Sequence, residues 1–375
     1  MRPAGGLFLT LVVVAAAGCS MAGRAPVDAP PSERPRARDW EKVAPGSVGL
    51  DAAALDRLAD KAEKGRSNCL AVVRDGKLAG EWYFRQGRPD AGQEVFSVTK
   101  SVASLLVGIA QDDGALRIDD RASTWITEWQ GTPSEKVTVR DLLSNASGRE
   151  WSTGSDYGRL IFARDRTSYA IGLKQARPPG TVWAYNNAAI QTLDRVLRGA
   201  TGQDAMSFAR TRLFEPLGMT RTMLTKDRSG NPQLFMGMLS TCRDLARLGQ
   251  LMLNQGQWGG RRIVSAEWVK ASTERPSTKL NDAYGYLWWL NKRGTVVGPL
   301  AATGARDDGG ARRSADSIAP GAPDSVFWAL GLGNQLVQVD PGSRTVVVRL
   351  GPGGRPRPPT FGPADAAGVL RAIVR

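Results

Sequence analysis

An α+β fold is what the sequence predicts: an antiparallel β-sheet flanked by helices, joined to an all-helical lobe. Three observations carry this. Short β-branched or aromatic runs stand near both ends of the chain, at 69–73 and 77–84, and again at 284–290, 326–330, 335–340 and 345–350. Between about 112 and 235 apolar residues recur at helical spacing, broken by Gly, Pro and Asn, with no convincing strand. From Val98 to Ala110 nearly every residue is small or apolar, which marks a helix buried on all sides. The terminal segments, about 46–111 and 236–375, are therefore expected to share one sheet, while 112–235 forms a second lobe. The cleft between them is the natural place for a site.

The first residues are organised for export. Arg2 precedes an apolar run from Leu7 to Ala17, and Ala16-Ala17-Gly18 supplies small residues before Cys19, so 1–18 reads as a signal peptide. The run is too short to span a bilayer. Its ending resembles a bacterial lipobox, with Ala16 where Leu is usual. That resemblance implies cleavage before Cys19 and a lipid on its sulfur, giving a membrane-anchored lipoprotein of the cell envelope, in the periplasm or at the cell surface; simple secretion is the alternative. Residues 19–45, with Pro26, Pro30, Pro31 and Pro35, read as an extended tether ahead of a domain over 46–375.

Within the domain, Asp51 can cap a helix whose Leu55, Leu58, Ala59 and Ala62 repeat at helical spacing until Gly65. Asp75-Gly76 then suits the tight turn of a β-hairpin, since both residues tolerate positive φ. Helices are expected over Thr138–Leu143, Leu160–Ile171, Ala188–Arg198 and Asp204–Phe214. Another runs from Thr241, paired with Asp244 as a cap, to Leu253, and a short one covers Ser265–Ser272. Pro341-Gly342 joins the last two strands, and a helix from about Ala364 to Val374 ends the chain. The Gly-, Asp- and Arg-rich stretch Thr303–Ser325 is too long for an ordinary connection and reads as a mobile surface loop, or else as a border of the cleft.

Composition removes whole classes of chemistry. The chain has no histidine, so a Ser-His-Asp triad, a Cys-His pair and a His-ligated zinc site are excluded, and any hydrolytic base must be Lys, Tyr, Asp or Glu. No metal or cofactor is expected. A net charge of +14 comes from Arg and Lys spread along the chain without a concentrated run, which reads as a solvated surface, and no nucleic-acid partner is expected. Cys69 and Cys242 are the cysteines left to the domain; in an oxidising compartment they can pair, or remain separate buried thiols.

The chemistry concentrates at Phe96-Ser97-Val98-Thr99-Lys100. A hydroxyl and an amine three apart at a helix start share one face, within reach of one another. Serine needs a neighbouring base to attack a carbonyl, and a lysine desolvated at the root of an apolar helix can be that base. The helix N-terminus can also stabilise a developing oxyanion. A second element is Trp183-Ala184-Tyr185-Asn186-Asn187, which leads into a helix. There Asn187 is placed as the cap, and the Tyr185 hydroxyl can relay the proton between serine, lysine and leaving group.

With these residues in this order the chain resembles the serine β-lactamase and penicillin-binding superfamily, particularly its class C-like esterase and 6-aminohexanoate-oligomer hydrolase branch. Ser97 and Lys100 match its Ser-x-x-Lys motif, and Tyr185 and Asn187 its Tyr-x-Asn; the likeness runs from about Leu50 to Leu350 and includes Thr138–Ser144 and Phe214–Met219. The resemblance implies a β-lactamase/transpeptidase-like fold with Ser97, Lys100 and Tyr185 catalytic and Asn187 facing the substrate. The family's third motif, Lys-Thr-Gly or His-x-Gly, is represented only by Leu330-Gly331-Leu332-Gly333-Asn334. Glycines remain and the cation does not. A backbone N–H from this edge, with Gly333 or Asn334 the donor, can still complete an oxyanion hole, whereas recognition of a substrate carboxylate is put in doubt; tight strand packing is the plainer role for Gly331 and Gly333. Trp183, Trp288, Trp289 and Trp328 lie near the expected cleft, most as core and one or two as walls of an apolar pocket. The expectation is a serine hydrolase acting on a small ester, amide or peptide through an acyl-enzyme; β-lactamase or D,D-peptidase activity, or a non-catalytic envelope binding protein of the same fold, is the alternative.

Overall fold

The computed structural model describes residues 39–303, 316–353 and 358–374. The expected signal peptide, Cys19 and most of the expected tether lie outside the described residues. No helix among the described residues is long and apolar enough to cross a membrane.

Six strands form one antiparallel sheet: β1 (Cys69–Arg74), β2 (Lys77–Tyr83), β3 (Trp289–Leu290), β4 (Phe327–Gly331), β5 (Gln335–Asp340) and β6 (Thr345–Leu350), in the order β2-β1-β6-β5-β4-β3. The first and last parts of the chain thus meet at the β1–β6 pair, Cys69 opposite Leu350 and Arg74 opposite Thr345. Asp75 and Gly76 turn β1 into β2 with φ of 51° and 78°, the conformation an Asp-Gly hairpin favours.

Alternation along the strands feeds two cores. Leu70, Val72, Leu336 and Val347 face helix α1 (Ala52–Lys64) and the C-terminal segment with Phe361 and Val369. Ala71, Val73, Val337, Val346 and Val348 face α2 (Val98–Asp112) and α3 (Cys242–Leu253) in the larger core. α3 presses so near the sheet that a Cβ on Gly249 would stand 2.4 Å from Val346 Cγ1. A disulfide from Cys69 to Cys242 ties its first residue to β1. Of the expected Thr241–Asp244 cap, the threonine half is made; the Asp244 carboxylate instead takes hydrogen bonds from Arg221 N, Thr222 Oγ1 and Arg247.

Four expectations are corrected. The packed chain begins before residue 46: the Trp40 indole donates to the Arg243 carbonyl and meets Trp258 edge-on, and Val43 N–H bonds Leu78. The helices of the middle segment are interrupted, at 163–165 between Leu160–Phe162 and Arg166–Gly172, and at Thr192. That segment also holds strands of two residues, Trp183–Ala184 paired with Ala302–Thr303 and Met223–Leu224 paired with Met238–Leu239, too short for a period of two to register. Lastly, residues 316–323 are no loose loop: Asn291 Nδ2 donates to the carbonyls of Ala319, Ala322 and Pro323, and Ala319 is buried. The stretch 304–315 lies outside the described residues.

Candidate active site

Ser97 stands immediately before α2, where a serine ordinarily caps the helix, yet its side chain makes no capping bond. Lys100 Nζ donates to Ser97 Oγ at 2.8 Å and to the Phe235 carbonyl at 2.7 Å. Phe96 holds the preceding position with φ of 49°, a left-handed conformation that costs an L-residue on the order of 1–3 kcal/mol. Its ring lies against Gly353, where a Cβ would stand 2.7 Å from it.

Tyr185 arrives from the middle segment on a braced loop. Ala184 N–H bonds the Asn145 carbonyl, Asn186 N–H bonds Asn145 Oδ1, and the Trp151 indole donates to the Tyr185 carbonyl. Its ring stacks on that of Trp289 with centroids 5.6 Å apart and planes 29° from parallel, Tyr284 packs edge-on against it, and Trp183 packs at a tilt of 43°. The phenol lies near Ser97 and the Trp289 side chain, which both act on its proton affinity, and Lys100 Nζ sits 4.6 Å from the ring centre. Ser97, Lys100 and Tyr185 are thus brought together from α2 and the 183–187 segment.

Asn187 does not cap the helix it opens. Asn186 does, accepting from Ala189 N–H, because only the residue before the helix has the extended backbone that turns its side chain back over the first turn. Asn187 donates from its own N–H and from Nδ2 to Asp156 Oδ2, while Ala188 N–H donates to Asp156 Oδ1.

On the strand side, Gly331 is the residue that meets the serine: a Cβ there would stand 3.2 Å from Ser97 N and 2.3 Å from the Val95 carbonyl. Only glycine lets β4 approach this closely. Gly333 and Asn334, the expected oxyanion donors, lie beyond the end of β4. They form the β4–β5 turn with φ of 74° and 57°; Arg349 holds both carbonyls, Asn334 Nδ2 bonds Pro359, and a Cβ on Gly333 would strike the Pro352 carbonyl. The residue that follows Gly331 is Leu332, whose side chain is 64% exposed. Since β3 pairs β4 only at Phe327 and Trp328, the edge beyond is left open beside Ser97 among the described residues.

Electrostatics divide the roles. Burial pushes the Lys100 ammonium down from 10.5 to about 7, against an upward pull from the Asp156 carboxylate. Burial pushes Tyr185 up, outweighing the downward pull of the neighbouring Ser97 and Trp289 side chains. Near pH 7.5 the amine is mostly unprotonated while the phenolate is negligible, so the lysine is the base and the tyrosine a neutral relay. Asp156, itself buried, is raised to about 6.

Sequence reasoning missed Asp156, the Phe235 carbonyl and Asn145. A carboxylate within Ser-Thr-Gly-Ser-Asp and a main-chain carbonyl carry no local signal; Asn145, with φ of 55°, belongs to a residue type that tolerates that region, which is a weak one. Of the tryptophans, Trp289 walls the site, Trp183 packs on the tyrosine, and Trp288 and Trp328 are core, Trp328 donating to Gln338.

Comparison with known proteins agrees with this geometry. Residues 55–365 match the family model described as Beta-lactamase. A 6-aminohexanoate-dimer hydrolase of Paenarthrobacter ureafaciens is 25% identical over 292 residues, 70% of this chain and 74% of that protein. Among solved structures, a penicillin-binding protein homolog from Caulobacter crescentus superposes with a TM-score of 0.63 at 18% identity, covering 88% of this chain and 98% of its own. A family VIII carboxylesterase gives 0.64 at 15% identity, with 87% and 98% covered. At such identities the structures speak to the fold alone, but the family match spans the sheet, the helical segment and every site residue named above: the chain belongs to the beta-lactamase family.

Proposed function

We propose that the protein is an exported serine hydrolase that cleaves an ester or amide through an acyl-enzyme on Ser97. One observation carries the reading: a buried amine with a pKa of about 7 lies 2.8 Å from a serine oxygen that caps nothing, in a chain without histidine. Ser97 Oγ forms a bond to the substrate carbonyl carbon as its proton passes to Lys100 Nζ, and the carbonyl π pair moves onto oxygen. Ser97 N–H and the open edge at Gly331–Leu332 face that oxyanion. Collapse breaks the bond to the leaving group, which takes the Tyr185 proton; the Lys100 ammonium refills the phenol. Water then repeats the sequence in reverse and frees the acid.

The substrate class follows from the edge. The stretch that stands for the family's third motif holds no cation, exposed Leu332 lies beside Gly331, and Trp289 with Tyr185 gives an aromatic wall, which favours uncharged acyl groups over carboxylate-bearing β-lactams and D-Ala-D-Ala peptides. The relative named for 6-aminohexanoate-dimer hydrolysis supports a linear amide.

Incubation with a fluorophosphonate probe and mass spectrometry, on wild type and Ser97→Ala, tests the mechanism. The adduct is expected on Ser97 and absent from the variant; absence from wild type, or persistence in the variant, points to the non-catalytic binding protein instead. Rates on p-nitrophenyl esters, linear amides, nitrocefin and D-Ala-D-Ala peptides rank the substrate classes. Export with lipid on Cys19 is tested by labelling cells with an alkynyl fatty acid, where Cys19→Ala is expected to lose the label.

A further inference from the structure

We propose that Asp156 is a positioning residue of this site, clamping the segment behind Tyr185 and holding the negative charge against which Lys100 takes up the serine proton. The inference rests on the reading of Lys100 as the base.

Its geometry is specific. Asp156 is buried on a π-helical turn, Ser155–Arg159, a widened turn found frequently at functional sites. Both carboxylate oxygens are engaged at 2.7–2.9 Å by Asn187 N, Asn187 Nδ2 and Ala188 N. These donors lie two and three residues after Tyr185, so the carboxylate sets where the phenol sits relative to Ser97. Three strong hydrogen bonds keep an ion in a place that desolvation would otherwise neutralise.

The second role is electrostatic. Asp156 is the charged group acting on Lys100; Tyr185, whose ring lies against the amine, and Tyr157 and Tyr284, which interact with Tyr185, are all raised and neutral at working pH. A fixed carboxylate opposes the desolvation of Lys100, and when Ser97 loses its proton it stabilises the new ammonium. Without it the amine would be a weaker base. The two groups titrate as a pair, so the acid limb of activity belongs to both.

The test reads Lys100 twice. One reading is the 13C resonance of labelled lysine that disappears in Lys100→Met, titrated from pH 4.5 to 9, which needs no substrate. The other is the acid limb of kcat/KM on a p-nitrophenyl ester. Asp156→Asn is expected to move both midpoints down by about one pH unit and to lower the plateau kcat roughly tenfold, since a weaker base transfers the proton less well. Asn187→Ala keeps the charge and removes one clamp bond: kcat falls while both midpoints stay. Should Asp156→Asn not fold, Asp156→Ser offers an uncharged acceptor and the same expected shift. A midpoint that is unmoved or moves up in the uncharged variants overturns the proposal, whatever their kcat. Titration that moves as expected in a protein without Ser97-dependent turnover sinks the hydrolase reading alone.

Discussion

Lys100 Nζ lies 2.8 Å from Ser97 Oγ and 2.7 Å from the Phe235 carbonyl, so the amine is held between the nucleophile and a neutral acceptor from a segment 135 residues away. Among the described residues no carboxylate bonds it directly. Burial without a contacting anion is what brings its pKa to about 7, and this arrangement sets the predictions that follow.

Activity should rise with pH along an acid limb centred near 7 and stay high into the alkaline range, because Lys100 must be unprotonated and Tyr185 is raised by burial. With no imidazole in the chain, a limb near 7 has no histidine to explain it. A kcat/KM profile from pH 5 to 9 checks this; a flat profile would contradict the lysine base.

Lys100→Met should abolish turnover and raise stability. A shift from 10.5 to about 7 in a fully buried amine corresponds to a folding cost on the order of 5 kcal/mol. Two polar partners lose a bond in the variant, leaving an expected net gain of about 1–3 kcal/mol. The sign is clear. The depressed amine binds fewer protons in the folded than in the unfolded chain, so the cost is full below pH 7 and fades toward pH 10.5. Urea melts at pH 6 and pH 9 should therefore show a larger gain at pH 6.

Tyr185→Phe keeps the ring against Trp289 and removes the relay. A kcat drop of roughly 10²–10⁴ is expected, with KM nearly unchanged and melting temperature close to wild type. Loss confined to KM would make the tyrosine a wall.

Leu332→Lys places a cation beside Gly331. Turnover of substrates bearing a carboxylate should improve about tenfold relative to neutral esters, the worth of about 1.4 kcal/mol, and the gain should weaken in high salt. Paired assays at two ionic strengths check it.

Cys69 and Cys242 close a loop of 173 residues. Replacing both by Ala should lower stability by about 2–5 kcal/mol through the freer unfolded chain, without altering the acid limb of activity. Denaturant midpoints with and without reductant measure the difference.

The elements whose identity depends on near neighbours were legible in the residues. The Asp-Gly hairpin, β5 and β6, the apolar α2 and the Ser97–Lys100 spacing all arise from periodicity and turn chemistry, which act over a few positions. Asn187 was misplaced by a single residue, because capping depends on backbone angles that side-chain identity leaves open between Asn186 and Asn187. The strand glycines show the same limit: the residues pointed to Gly333 or Asn334 as the oxyanion donor, and only the packing of β4 on Ser97 separates Gly331 from the turn at Gly333 and Asn334.

By itself, then, the sequence determined which chemistry was open: no histidine, a serine and lysine on one helical face, and no cation in the third motif. The tertiary structure decided what no local pattern encodes. It placed Tyr185 against Ser97, seated Asp156 behind Asn187, joined Cys69 to Cys242 and removed Lys100 from water. Each of these is a distance or a desolvation between segments remote in the chain, and such quantities exist only once the two cores have closed around them.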